Sequence, residues 1–134
     1  MKVNEVINRV IRGKDSKEWM VIKHEDEYHV LRLKLNNCIV VWDSPILIDS
    51  VENSLLKNAG TDALFVDDNS RLFKLNIVPG QKYQYKNQQK GWFMVIQNID
   101  NTFAIINDKG YVQSGSENLT YQAIQERLSD KILL

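Results

Sequence analysis

The chain has 134 residues with 17 basic and 17 acidic side chains, so its formal net charge is zero. We predict a single α+β domain over residues 1–134, and the zero net charge argues against a protein whose whole surface binds nucleic acid. Cys38 is the only cysteine, which excludes an intramolecular disulfide and favours a reducing compartment. The opening residues form no apolar signal segment, and no apolar run is long enough to span a membrane. We therefore expect a cytoplasmic protein without a membrane partner.

Apolar residues at helical spacing predict a first helix over residues 3–12 that ends at Gly13. The residues that form this apolar stripe are Val3, Val6, Ile7, Val10 and Ile11. Three strands are predicted to follow, at residues 19–24, 28–35 and 38–42. Asn36-Asn37 suits the second turn between them, because Asn tolerates a positive φ. The pattern is typical of an antiparallel meander.

A central helix is predicted between Asp49, as N-cap, and Gly60. A second set of strands is predicted at residues 63–66, 71–78, 81–85, 92–97, 102–106 and 111–113. Their spacing of about ten residues favours hairpins over βαβ crossovers. A last helix is predicted to begin near Thr120, with an apolar stripe that continues to Ile132. The predicted fold class is α+β, with mostly antiparallel sheets built from hairpins and an N-terminal, a central and a C-terminal helix packed on them.

A basic window is the most informative feature of the sequence. No acidic residue occurs between Asn69 and Ile99, whereas this window contains five basic residues. Aromatic residues are interleaved with its last three lysines, and such a strip suits an acidic protein surface, or phosphates and stacked bases. The candidate partner- or ligand-binding residues are Lys82, Tyr83, Tyr85, Lys86, Lys90 and Trp92.

The same segment also has a purely structural interpretation. Side chains alternate along a strand, so Tyr83 and Tyr85 share one face while Lys82 and Lys86 share the other. On this interpretation the tyrosines belong to the core and the lysines guard a solvated sheet edge. The sequence leaves both interpretations open.

Motifs for catalysis or metal binding are absent from the sequence. It contains no GxSxG elbow, no GxxxxGK[ST] phosphate loop, and no GxGxxG, HExxH or CxxC pattern. The only histidines, His24 and His29, are too few for a zinc cage. The acidic turn at residues 67–70 lacks the spacing of a calcium loop. We expect no catalytic residue, no metal and no cofactor; a small enzyme that uses Cys38 or a histidine is the least favoured class.

These observations predict a non-catalytic binding protein. Its most concrete form is an inhibitor or immunity-type protein that blocks a protein partner with an acidic surface through the basic and aromatic hairpin. Thirteen Asn, thirteen Ile and only four Ala indicate an AT-rich gene, a hint of phage or mobile-element origin. The main alternative is a module that binds a nucleotide or single-stranded nucleic acid, including one that sequesters a signalling nucleotide. A homodimer formed through an edge strand is a further expectation.

Overall fold

The computed structural model of the protein describes residues 2–14, 16–24, 26–33, 39–41, 45–60, 63–66, 69–109, 111–113, 115–129 and 131–133. The predicted turn at Asn36-Asn37 and the residue Cys38 lie outside the described residues. In the part that is described, two antiparallel sheets and several helices form an α+β fold, as predicted. None of the described helices has the length and apolar character needed to cross a membrane.

The first sheet has five strands in the order β4-β3-β2-β1-β5. These strands are β1 (Val10–Arg12), β2 (Glu18–His24), β3 (Glu27–Leu33), β4 (Ile39–Val41) and β5 (Leu64–Phe65). The hairpin between β2 and β3 closes on the pair His24 and Glu27, and Asp26 in its turn has a positive φ of 67°. This hairpin and the pairing of β3 with β4 confirm the predicted meander within the described residues.

The second sheet has four strands in the order β8-β7-β6-β9. They are β6 (Tyr83–Tyr85), β7 (Phe93–Gln97), β8 (Phe103–Asn107) and β9 (Lys131–Leu133). Isolated bridges from Phe103 to Leu119 and from Ile106 to Val112 cover the outer edge of β8. The hairpins β6–β7 and β7–β8 agree with the predicted strands.

The helices are short, apart from one central helix. They are α1 (Val3–Val6), α2 (Ile48–Ser50), α3 (Lys57–Ala59), α4 (Ser70–Lys74) and α5 (Tyr121–Arg127). A π-helical segment, Val51–Leu56, joins α2 and α3 without a break, and the resulting central helix ends at Gly60, where φ is 72°. Its N-cap is Leu47 rather than the predicted Asp49, and no side chain caps it.

Three buried clusters order the molecule into four layers: helix, sheet, sheet and helix. Alternation along β2 sends Met20 and Ile22 into the cluster between the sheets, where they meet Met94 and Ile96 of β7. The opposite face of the first sheet packs on α1 and the central helix. The opposite face of the second sheet packs on α4 and α5. Because β7 lies in the middle of this stack, all five of its residues are buried.

The predicted N-terminal helix is wrong beyond its first turn. It ends at Val6, the backbone turns at Asn8 with a φ of 65°, and Val10 to Arg12 form β1. Val10 and Ile11 enter different clusters, one on each face of the sheet. These β-branched residues fit a helical stripe and a strand equally well, and pairing of β1 with both β2 and β5 decides for the strand.

Two predictions for later elements are also wrong, and one predicted strand is confirmed. The segment predicted as a strand at 71–78 begins with α4, where Leu72 is fully buried. The predicted strand at 63–66 is confirmed as β5, and it pairs with β1 in the first sheet. The last helix begins at Thr120 as predicted, but it ends at Arg127, and the apolar stripe beyond it becomes β9. In both wrong predictions a partner distant in the sequence overrides the local pattern.

Candidate functional site

The fold divides the basic window between two places. Arg71 and Lys74 lie on α4, whereas Lys82, Lys86 and Lys90 belong to the hairpin that joins β6 to β7. The basic residues of the window therefore come from two separate elements of the fold. We call the hairpin part, formed by Lys82, Tyr85, Lys86, Lys90 and Trp92, the hairpin surface.

Tyr83, one of the six predicted binding residues, belongs to the core. Only 3% of its surface is exposed, and it packs in the cluster beneath α4 and α5. Its hydroxyl accepts a hydrogen bond from the backbone N–H of Val78 at 2.9 Å and donates one to the carbonyl of Asn76 at 3.5 Å. Both polar functions of the hydroxyl are thus used inside the protein, and Tyr83 does not contribute to the hairpin surface.

Tyr85 lies on the same face of β6 but nearer its end, and it is half-buried. Its ring stacks on Phe93 with centroids 4.4 Å apart and an interplanar angle of 21°. Burial raises the pKa of the Tyr85 phenol, and the positive charge of Arg127 opposes part of that rise. Tyr85 therefore stays neutral, with its ring stacked on Phe93.

Lys82 and Trp92 form a pair on the other side of the sheet. The Lys82 Nζ lies 4.7 Å from the centroid of the Trp92 ring, which is cation–π distance. Trp92 is partly buried against the cluster between the sheets. The alternation predicted from the sequence is thus present: Tyr85 and the Lys82–Trp92 pair occupy opposite faces of the hairpin.

The tip of the hairpin carries exposed lysines on a hydrogen-bonded frame. Lys86 and Lys90 are both exposed. Gln88 Oε1 accepts from the backbone N–H of Tyr85 at 3.1 Å, and Gln88 Nε2 donates to the carbonyl of Lys90 at 2.9 Å. Gln84 Nε2 donates to the carbonyl of Gly91 at 2.9 Å. These side-chain bonds fix the backbone from which both lysines project.

An acidic neighbour of the hairpin was not predicted. A Cβ built on Gly91 would lie 2.7 Å from Oδ2 of Asp108, so this carboxylate touches the hairpin backbone. On the other side, Lys131 of β9 lies opposite Tyr85. The local charge of the surface therefore depends on residues distant in sequence, and only the strand order could have revealed them.

A polar cleft near the junction of the two sheets was also missed by the sequence reasoning. It has a volume of about 270 Å³, and its walls include Phe65, Ser70, Arg71, Gln97, Ile99 and Asn101. These residues come from β5, α4, the end of β7 and the turn after it. One feature of the sequence indicates this place, because Gln97 is a polar residue at the end of the apolar run of β7. In the structure, Gln97 is buried.

Both histidines lie in the β2–β3 hairpin. His29 lies opposite Ile22 in the β2–β3 ladder, and His24 closes the hairpin opposite Glu27. Among the residues that the structure describes, no three His, Cys, Asp or Glu side chains are grouped so that they could hold a metal ion.

We compared the chain with models of protein families, with curated proteins and with solved structures. None of the three comparisons found a match. The physical properties of the hairpin surface and the cleft therefore carry the functional argument.

Proposed function

We propose that the protein is a non-catalytic binding protein that uses the hairpin surface to block a protein partner with an acidic surface. The observation that carries this proposal is the pair of exposed lysines, Lys86 and Lys90. They lie at a hairpin tip whose backbone is held by two hydrogen bonds of the Gln88 side chain. Their charge lies within a segment, Asn69 to Ile99, that contains no acidic residue. An inhibitor or immunity-type protein of phage or mobile-element origin is the most concrete form of this function.

A fixed tip favours binding because little conformational freedom remains to be lost on association. Ordering a flexible, rotamer-rich side chain costs about 0.5–1.5 kcal/mol at an interface, and a preformed backbone avoids the further cost of ordering a loop. Trp92, partly exposed and held under Lys82, would act as an aromatic anchor. The lysines would mainly steer the encounter and select an acidic partner.

The test is a charge reversal with a matched control. In the source cell, a native pull-down after nuclease treatment identifies a stoichiometric protein partner by mass spectrometry. The hairpin variant Lys82→Glu/Lys86→Glu/Lys90→Glu should lose this partner. A control variant that carries the same charge change elsewhere should retain it: Lys14→Glu/Lys57→Glu/Lys74→Glu, all at exposed positions. Retention of the partner by the hairpin variant, with its fold intact, would overturn the proposal.

A second candidate function is binding of a nucleotide or single-stranded nucleic acid by the same surface. The pair of Lys82 and Trp92 favours it, because a base can stack on the indole face that Lys82 covers once this lysine moves to contact a phosphate. Such binding should weaken steeply with salt and quench Trp92 fluorescence. A Trp92→Phe variant identifies the quenched residue, and a salt-independent complex would count against this function.

Homodimerisation through a sheet edge is a separate proposal. β9 pairs with β6, and no described strand covers its other side. Such an edge presents unpaired backbone groups to a second chain. Sedimentation velocity over a range of protein concentrations tests this: a concentration-dependent dimer supports it, and a monomer at every concentration rejects it.

A further inference from the structure

We propose that the polar cleft binds a small anion that also carries an N–H donor. This site is distinct from the hairpin surface, and it does not depend on the function proposed above. It lies where β5, α4 and the end of β7 meet. Three properties of the cleft define the ligand: an unpaired buried oxygen, a guanidinium group and a limited volume.

Gln97 supplies the unpaired oxygen. Its side chain is only 4% exposed and forms part of the cleft wall. Its Nε2 donates to Oδ1 of Asn101 at 3.1 Å, while its Oε1 has no hydrogen-bond partner. Buried polar atoms are normally paired, because desolvation without a replacement bond costs free energy. A ligand N–H that reaches Oε1 from the cleft would recover that free energy.

Arg71 supplies the positive charge. It is exposed on α4, and its guanidinium carbon lies 5.6 Å from the centroid of the Tyr121 ring. Among the described residues, no carboxylate forms a salt bridge with it. The guanidinium carbon of Arg9 lies 4.7 Å from the centroid of Phe65, but Arg9 is not part of the cleft wall, and its Nη1 donates to the carbonyl of Glu5 at 2.8 Å. Arg71 is one of the lining residues of the cleft, and a planar guanidinium is suited to a carboxylate or phosphate.

Asp100, the acidic residue that follows Ile99, forms no salt bridge with Arg71 in the part of the chain that the structure describes. Its Oδ1 accepts hydrogen bonds from the backbone N–H of Thr102 at 3.0 Å and from the Thr102 hydroxyl at 2.6 Å. Phe65 and Ile99 add apolar wall for the carbon skeleton of a ligand. A volume of about 270 Å³ is slightly below the range of about 300–1,000 Å³ for drug-sized ligands. The cleft therefore suits a nucleoside monophosphate or an amino acid, which share the required chemistry.

Four probes distinguish a nucleotide from an amino acid and separate the contribution of the anionic group from that of the N–H donor. AMP and leucine each combine an anion with N–H donors, whereas inorganic phosphate supplies only the anion and adenosine only the donor. Each probe is titrated into the ¹⁵N-labelled full chain while amide resonances are followed by NMR. We expect AMP or leucine to shift the resonances of Ser70, Gln97 and Asn101. Phosphate and adenosine should bind at least about tenfold more weakly, since each lacks one of the two interactions.

Variants connect the binding to the cleft. Gln97→Leu and Arg71→Ala should each lower the affinity for the probe by about tenfold or more. Lys74→Ala, which removes a positive charge from the same helix but not from the cleft wall, should bind normally. Arg71 is exposed, so its replacement tests the site even if Gln97→Leu lowers stability.

Three results would overturn the proposal: no shift with AMP or leucine, binding of phosphate alone with equal affinity, or undiminished binding by Arg71→Ala. The variant in which Lys82, Lys86 and Lys90 are reversed to Glu should bind the probe normally, because these lysines lie outside the cleft wall. A failure of the hairpin proposal and a failure of the cleft proposal can therefore be told apart.

Discussion

Replacing Tyr83 with Phe tests whether this tyrosine belongs to the core or to a binding surface. The substitution keeps the buried ring and removes the hydroxyl that bonds Val78 and Asn76. A hydrogen bond of this kind contributes about 0.5–1.5 kcal/mol to the free energy of unfolding. The second bond is long at 3.5 Å, and Val78 and Asn76 are exposed and can bind water instead. We therefore expect a loss of about 1 kcal/mol.

The loss should be visible in thermal unfolding followed by circular dichroism. A domain of this length has an unfolding entropy of about 0.28 kcal/mol/K, so 1 kcal/mol lowers Tm by roughly 4 °C. Tyr85→Phe is the matched control, because the Tyr85 hydroxyl is only half-buried, and we expect a change within about 0.5 kcal/mol. Unchanged stability of Tyr83→Phe together with weakened partner binding would refute the placement of Tyr83 in the core.

Three further substitutions test other parts of the structure. Thr120→Ala removes the side-chain oxygen that accepts from the backbone N–H of Ala123, so chemical denaturation should show a loss of about 1 kcal/mol, which Thr120→Ser should largely avoid. Gly80→Ala places a Cβ 2.8 Å from Cγ2 of Ile22 at a φ of 80°, so we expect a loss of at least about 1 kcal/mol, and a stability equal to that of the parent protein would contradict the turn geometry. Burial favours the neutral form of Tyr85 and raises its pKa above the unfolded value near 10. The contribution of neutral Tyr85 to the free energy of unfolding is therefore complete below pH 10, and it is lost as the pH rises from there towards the folded pKa. Tyr85→Phe should remove a step above pH 10 from an ultraviolet titration of the tyrosines and reduce the alkaline loss of stability; loss of a step at or below pH 10 instead would contradict this assignment.

The sequence predicts the parts of this fold that depend on neighbouring residues. The β2–β3 hairpin follows from two apolar segments of strand length separated by a polar tip, and the start of α5 follows from Thr120 as N-cap. The same reasoning fails at Val10 and Ile11, because β-branched residues at this spacing fit either a helix or a strand. Their conformation is decided by pairing with β5, which lies more than fifty residues further along the chain. Local pattern cannot supply that information.

The candidate site shows the same division. Alternation correctly separates Tyr83 and Tyr85 from Lys82, but it cannot say which face is buried. The contact of Asp108 with the hairpin requires the pairing of β7 with β8 in its actual register. Prediction of the cleft would also require the packing of the two sheets, because Arg71 and Gln97 line one cavity only when the sheets are packed together. Charge and spacing in the sequence locate the hairpin surface but not its neighbours.

The most direct test of the central claim is the rate at which the protein associates with its purified partner. Surface plasmon resonance at low and high salt would compare the parent protein with Lys82→Gln/Lys86→Gln/Lys90→Gln, which removes charge without reversing it. Electrostatic steering raises association rates by about tenfold or more at low salt, and screening reduces this gain. The account predicts that the Gln variant associates at least about tenfold more slowly at low salt and that the difference shrinks at high salt. Equal association rates for the two proteins at low salt would contradict it.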